Sequence, residues 1–214
     1  MPASIVDHIK KRALAFFRDC RGSHDWSHTE RVYNLCLRIG EQEDADQDVL
    51  RMAALLHDIG REQQDRSRGE ICHAQVGARL AREILEQAGV VPDKIERVIH
   101  CIETHRFRGN LEPATTEAKV LFDADKLDSI GAVGIGRAFL FAGEVGAKLH
   151  NGGIDVRKTR RYSKEDTAYR EFVVKLQKVK DRMLTESGRR MAEERHRFMV
   201  AYFDRLHEEV EGRI

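Results

Sequence analysis

Apolar residues recur along this chain at intervals of three and four, the spacing that places them on one face of a 3.6-residue helix. Ile5, Ile9, Leu14 and Phe17 predict a helix over 3–20, broken at Arg21-Gly22-Ser23. Ser27 followed by Glu30 is a capping-box pattern, so a second helix is expected from His28 to about Glu43, with Val32, Leu35, Cys36 and Ile39 inward. After an acidic turn, Val49, Ala53, Leu56 and Ile59 mark a third helix over about 48–59, and Gly60 is read as its left-handed terminator. Residues 61–70 are charged and carry no periodicity, so they read as loose. A fourth helix spans about 72–88 and closes at Gly89. Pro92 opens a fifth over 92–105, with Ile95, Val98, Ile99 and Ile102 on its apolar face. Residues 107–115 read as a loop, 116–130 as a helix, and the stretch from Ile130 to about 149 as largely apolar.

The rest of the chain follows the same rule. Residues 150–162 form a basic loop with Arg157, Lys158, Arg160 and Arg161. Ser163 and Asp166 look like caps for a long helix reaching about Leu184, and a last amphipathic helix fills 189–211. Alternation of period two, internal repeats and low-complexity stretches are all missing from the sequence. The expected architecture is all-α, with residues 1–150 as a core and 151–214 as a basic loop and C-terminal helical hairpin packed on it, one domain overall.

Composition narrows the function. The sequence has 214 residues, 41% hydrophobic and 34% charged, with 3 prolines and a net charge of +1. That is enough chain for one good core, and the charge balance points to neither a nucleic acid nor a membrane partner. No apolar run reaches the ~20 residues of a membrane span. Cys20, Cys36, Cys72 and Cys101 lack Cys-x-x-Cys spacing, so buried thiols in a cytoplasmic protein are expected rather than a zinc-thiolate site or disulfides. A homodimer is left open.

Chemistry concentrates where helices end. His57-Asp58 closes the third helix, His28 opens the second, and Asp125 sits in the apolar setting of Leu121, Phe122 and Leu127. A carboxylate there is costly without a partner. Two imidazoles and two carboxylates form a borderline-hard donor set suited to Mn, Fe, Co, Ni or Zn.

In this order, His28, then His57-Asp58, then Asp125 resembles the H…HD…D pattern of the HD superfamily of metal-dependent phosphohydrolases. The segments His24–Val32, Asp123–Ala132 and Lys180–Thr185 are similar to a bacterial subgroup that includes nucleotide pyrophosphohydrolases. The resemblance implies an HD-type helical bundle in which His28, His57, Asp58 and Asp125 hold one divalent ion. His73 and His105 occupy places where binuclear relatives hold a second metal. They are expected to line the pocket and bind substrate, with a second ion as the alternative. Many relatives have an acid at the third position after the pair; here it is Arg61, and the acid is Glu62.

Glu62 and Asp128 are therefore the candidate proton-handling and ligand-supporting groups. Arg31 is a candidate phosphate clamp and catalytic group, and Lys126 a weaker phosphate ligand. Gly131, Gly134 and Gly136 read as helix packing and not as a phosphate loop. Trp26 could stack on a base or pack on the first helix. The expected substrate is a small phosphate compound, a nucleotide first, cleaved as a nucleoside triphosphate to release pyrophosphate. A monophosphate phosphatase or a cyclic phosphodiesterase is the alternative. An HD-fold di-iron oxygenase and a non-catalytic nucleotide-binding module are readings from other classes.

Overall fold

The computed structural model describes residues 3–17, 25–67, 70–106 and 111–214. Cys20, the expected break at 21–23 and part of the expected loop at 107–115 lie outside them. Among the described residues every regular element is helical, and no helix is long and apolar enough to cross a membrane. The chain falls into two compact units, residues 1–125 and 126–214.

The first unit runs through α1 (Ala3–Leu14), α2 (Trp26–Gln42), α3 (Gln47–Leu56), α4 (Arg61–Arg66), α5 (His73–Gln87), α6 (Pro92–Thr104) and most of α7 (Thr116–Leu127). Helix α3 lies at its centre, packed on α1, α2, α5 and α6. Its Val49, Leu50, Met52, Ala53, Ala54 and Leu56 are fully buried. Each large aliphatic among them contributes roughly 1.5–3 kcal/mol by leaving water. Trp26 meets the edge of Phe17, ring centroids 5.5 Å apart, so it packs beside α1.

Several boundaries differ from the sequence reading. Helix α2 starts at Trp26, two residues early, because Asp25 and not Ser27 is its cap: the Asp25 carboxylate accepts from the His28 amide at 3.2 Å and from the Ser27 hydroxyl at 2.6 Å. A charged acceptor suits the positive end of the helix better than a hydroxyl. Residues 61–66 are a short helix, not a loose segment. None of its residues is fully buried, which is why no apolar face announced it. Gly60 is not left-handed either, with φ −88°. Its role is close approach: a Cβ there would lie 2.3 Å from the His73 carbonyl oxygen and 2.7 Å from the Gly77 nitrogen.

A charged lattice joins α3, α6 and α7. Asp46 caps α3, accepting from the Asp48 and Val49 amides at 2.9 and 3.2 Å. Its other oxygen meets Arg97 Nη1 at 3.1 Å, and Arg97 Nη2 reaches Glu117 Oε1 at 3.0 Å. Glu117 in turn accepts from the Asp46 amide at 3.0 Å.

The second unit contains the end of α7, α8 (Gly131–Glu144), α9 (Ala168–Val174) and α10 (Glu186–Val210). The long helix expected over 163–184 is instead the seven-residue α9 followed by two 3-10 turns, Leu176–Lys178 and Lys180–Arg182. Thr167 caps α9, not Ser163 or Asp166. Asp166 accepts from the Tyr162 amide at 2.7 Å and pairs with buried Arg170 at 2.8 Å. Arg170 also donates to the Thr159 hydroxyl and carbonyl, so the basic loop is tied down while Arg157, Lys158, Arg160 and Arg161 stay exposed. Phe172 of α9 stacks on Phe203 of α10 at 4.7 Å. Gly134 serves packing as expected: a Cβ would sit 2.2 Å from the Ser129 carbonyl oxygen.

Asp46→Ala removes a cap worth about 1 kcal/mol and strips Arg97 of one partner. The expected result is a lower urea midpoint, followed by circular dichroism; an unchanged midpoint would contradict the lattice described here.

Candidate metal centre

Two ligand candidates are set by the same local rule. His57 and His105 are each the residue at which a helix stops, α3 and α6 respectively. A helix end leaves carbonyls without partners. His57 Nδ1 lies 2.8 Å from the Ala54 carbonyl oxygen, and His105 Nδ1 lies 2.6 Å from that of Ile102. A carbonyl can only accept, so each Nδ1 carries the hydrogen and each Nε2 presents a lone pair. His28 in the first turn of α2 and His73 in the first turn of α5 complete the imidazoles, all four at most 2% exposed.

The Nε2 atoms converge on the Asp58 carboxylate. On its Oδ2 side, His28 Nε2 and His57 Nε2 lie at 3.8 and 3.9 Å. Those two nitrogens are 3.4 Å apart, and His28 Nε2 is 3.4 Å from Asp125 Oδ1. On the Oδ1 side, His73 Nε2 lies at 3.1 Å and His105 Nε2 at 3.7 Å, and they are 3.1 Å from each other. The described residues thus form two donor groups, His28/His57/Asp125 and Asp58/His73/His105, each with its ligand atoms within 4.8 Å of one another. Asp58 stands between them, and α2, α3, α5, α6 and α7 supply the parts.

Burial keeps His57 and His73 neutral. It pushes His57 down to about 4, the nearby Asp58 charge opposing this in part. Burial also pushes His73 down to about 4 against its hydrogen bond to Asp58. Neutral, lone-pair-bearing nitrogens facing a carboxylate repel unless a cation or a proton lies between them. The His57 lone pair, pinned by a backbone carbonyl, cannot turn into a donor. The donor set therefore fits a divalent transition metal.

The sequence missed two supporting residues, both in α4. Arg61 Nη2 lies 3.1 Å from both oxygens of Asp58. Gln64 Oε1 lies 2.9 Å from His73 Nδ1 and so steers a ring in the second donor group. Their positions, three and six residues after Asp58, were the available signal. Of the other candidates, Arg31 is held by the Ser27 hydroxyl at 2.9 Å. Glu62 is half-buried and pairs with exposed Arg66. Lys126 is half-buried, and Asp128 is buried in a salt bridge to Arg137 at 2.6 Å, both in the second unit.

A model of the HD domain matches residues 25–130. YpgQ of Bacillus subtilis is 37% identical over 214 residues, covering 97% of this chain and 94% of that protein. The chain belongs to the HD-domain family. The crystal structure of YpgQ in complex with ADP superposes with a TM-score of 0.75 at 35% identity, covering 97% of this chain and 98% of that one. The crystal structure of an HD-superfamily hydrolase from Bacillus thuringiensis gives 0.76 at 28% identity, covering 97% of each. This chain is an HD-superfamily hydrolase, a metal-dependent phosphohydrolase of helical fold.

The depressed histidines have a consequence for stability. Their folded values lie below the usual 6.5, so the unfolded chain binds more protons between about 4 and 6.5. Metal-free protein should hold its full stability above pH 6.5 and lose it as pH falls towards 4, by up to about 1.4 kcal/mol per pH unit for each histidine. A series of melting temperatures checks this, and His57→Gln should flatten the slope; equal slopes would contradict it. Separately, Gly60→Ala should lower manganese affinity in calorimetry, because the turn that carries Asp58 must back away from α5. Unchanged affinity would show that the close approach is unimportant.

Proposed function

We propose that this protein hydrolyses a nucleoside or deoxynucleoside triphosphate to the monophosphate and pyrophosphate. The observation that carries the reading is the convergence of His28 and His57 on one oxygen of Asp58, with Asp125 against the same His28 nitrogen. Nucleotides are favoured because YpgQ, similar over nearly its whole length, crystallised with ADP.

In this reading His28, His57, Asp58 and Asp125 hold one divalent transition metal, manganese first. Bound there, it would polarise a phosphoryl oxygen and supply a nucleophilic water at neutral pH. The protein's own groups do the rest. The carbonyls of Ala54 and Ile102 keep the Nε2 lone pairs of His57 and His105 facing the centre. Arg31, steadied by Ser27, clamps the polyphosphate, and His73 and His105 bind its other oxygens. Water adds to the α-phosphorus, the bond from that phosphorus to the bridging oxygen breaks, and the electron pair leaves with pyrophosphate. Glu62 handles the proton: its partner Arg66 is exposed, and such a pair is weakly held. Asp128, buried against Arg137, is the less available of the two acids.

The test is product analysis across nucleoside triphosphates, monophosphates and cyclic nucleotides, with manganese, cobalt or nickel. Pyrophosphate and monophosphate from triphosphates are expected, and His57→Ala should abolish metal retention and turnover together. Inorganic phosphate from monophosphates, or opening of a cyclic diester, would replace the proposed reaction. No cleavage anywhere in the panel would overturn it.

A further inference from the structure

Positive charge in this chain is concentrated in one loop. Residues 148–164 hold six cations, Lys148, Arg157, Lys158, Arg160, Arg161 and Lys164, against one acid, Asp155. That surplus of five stands in a chain of net charge +1, so the rest of the chain is net negative. The near-neutral total conceals this patch. Two of the cations are engaged: Lys148 pairs with Glu165, and Lys158 stands 3.5 Å from Asp155. Arg157, Arg160, Arg161 and Lys164 are exposed and form no ion pair among the described residues.

The loop has a fixed shape. The Lys148 amide donates to the Lys164 carbonyl at 2.8 Å and closes its base. Asn151 donates to the Glu165 carbonyl at 3.0 Å, and Val156 is buried. Asp166 holds the Tyr162 amide at 2.7 Å, and Arg170 holds the Thr159 hydroxyl at 2.8 Å. Tyr162 has φ +54°, a left-handed conformation uncommon for a bulky residue. Its side chain nevertheless faces water, at 76% exposure, and Leu149 and Ile154 of the same loop are 64% and 49% exposed. Polar Asn151 is buried instead. The loop thus turns a polar side chain inward and three large apolar side chains outward, among unpaired cations.

Cations beside exposed apolar groups match an anionic lipid surface, where charged headgroups overlie hydrocarbon. A single-stranded nucleic acid would use the cations and the Tyr162 ring, but it offers Leu149 and Ile154 little. We propose that the loop 148–164 docks this protein on anionic membranes. Arg157, Arg160, Arg161 and Lys164 meet the headgroups, and Leu149, Ile154 and Tyr162 leave water at the acyl boundary. Such docking is peripheral and needs no spanning helix, and none of the described helices is long and apolar enough to be one. It does not rest on the metal reading above.

The test is co-sedimentation of the full chain with phosphatidylcholine vesicles, with and without phosphatidylserine, at low and raised salt. The wild type is expected to sediment with phosphatidylserine vesicles, to be released by salt, and to stay in solution with phosphatidylcholine alone. Each cation near such a surface contributes about fivefold in affinity, so Arg157→Glu/Arg160→Glu/Arg161→Glu should weaken binding by more than about a hundredfold. Lys175→Glu/Arg205→Glu/Arg213→Glu makes the same change in net charge at exposed cations outside the loop and should retain most of the binding. Leu149→Ser/Ile154→Ser should weaken binding by roughly tenfold and leave its salt dependence in place. Circular dichroism establishes that each variant is folded. No preference for phosphatidylserine vesicles, or equal losses in the two triple variants, would overturn the proposal. Undiminished binding by a folded Leu149→Ser/Ile154→Ser would also overturn it. Tighter, loop-dependent binding of a single-stranded oligoribonucleotide, read by fluorescence anisotropy, would assign the loop to nucleic acid instead.

Discussion

A buried carboxylate surrounded by imidazoles is the constraint on which the site depends. Asp58 is 2% exposed, and four imidazole nitrogens lie within 3.9 Å of its oxygens. A negative charge so far from water is tolerated only when something positive sits against it. Arg61 supplies one charge from within the chain, and the geometry of His28, His57 and Asp125 leaves room for another from outside it. The surrounding features follow from bringing these groups together without letting them collapse. Gly60 lets the turn after α3 press on α5, and the lattice of Asp46, Arg97 and Glu117 ties α3 to α6 and α7.

Economy in the fold shows at the helix ends. A helix must find partners for its last carbonyls, and a histidine as the terminating residue can provide one with Nδ1. Doing so turns Nε2 outward with its lone pair exposed, which is the state a metal ligand requires. At His57 and His105 the requirement of the helix and the requirement of the centre are met by one hydrogen bond each. The rings owe their orientation to backbone, so it does not vary with side-chain rotamers nearby. At His73 the partner is instead the Gln64 side chain, whose Oε1 lies 2.9 Å from Nδ1 and accepts from the same residue's backbone amide at 3.4 Å.

The helices and the ligand candidates were legible in the sequence where apolar period and chemistry coincided. Helices α2, α3 and α7 bury apolar residues at helical spacing, and His28, His57-Asp58 and Asp125 stand on them or at their ends. Arg61 and Gln64 were not legible, because α4 has no buried face and its residues matter through what they touch across the turn. Helix α9 misled for the opposite reason. Leu176, Val179 and Met183 are buried at intervals of three and four, a period that 3-10 turns satisfy as well as an α-helix does. The register of buried positions survived while the helix itself did not, ending where Lys175 turns to φ −135° and ψ −60°. The Asp25 cap was missed because Ser27 and Glu30 matched a stronger pattern, although an aspartate two residues earlier is the better acceptor at that position.

The claim that Asp58 joins His28, His57 and Asp125 around one cation is tested most directly by an anomalous-difference map at the manganese edge from crystals grown with manganese. The account predicts a peak within coordination distance of His28 Nε2, His57 Nε2, Asp58 Oδ2 and Asp125. A peak bound away from these four residues, or none at saturating manganese, would contradict it.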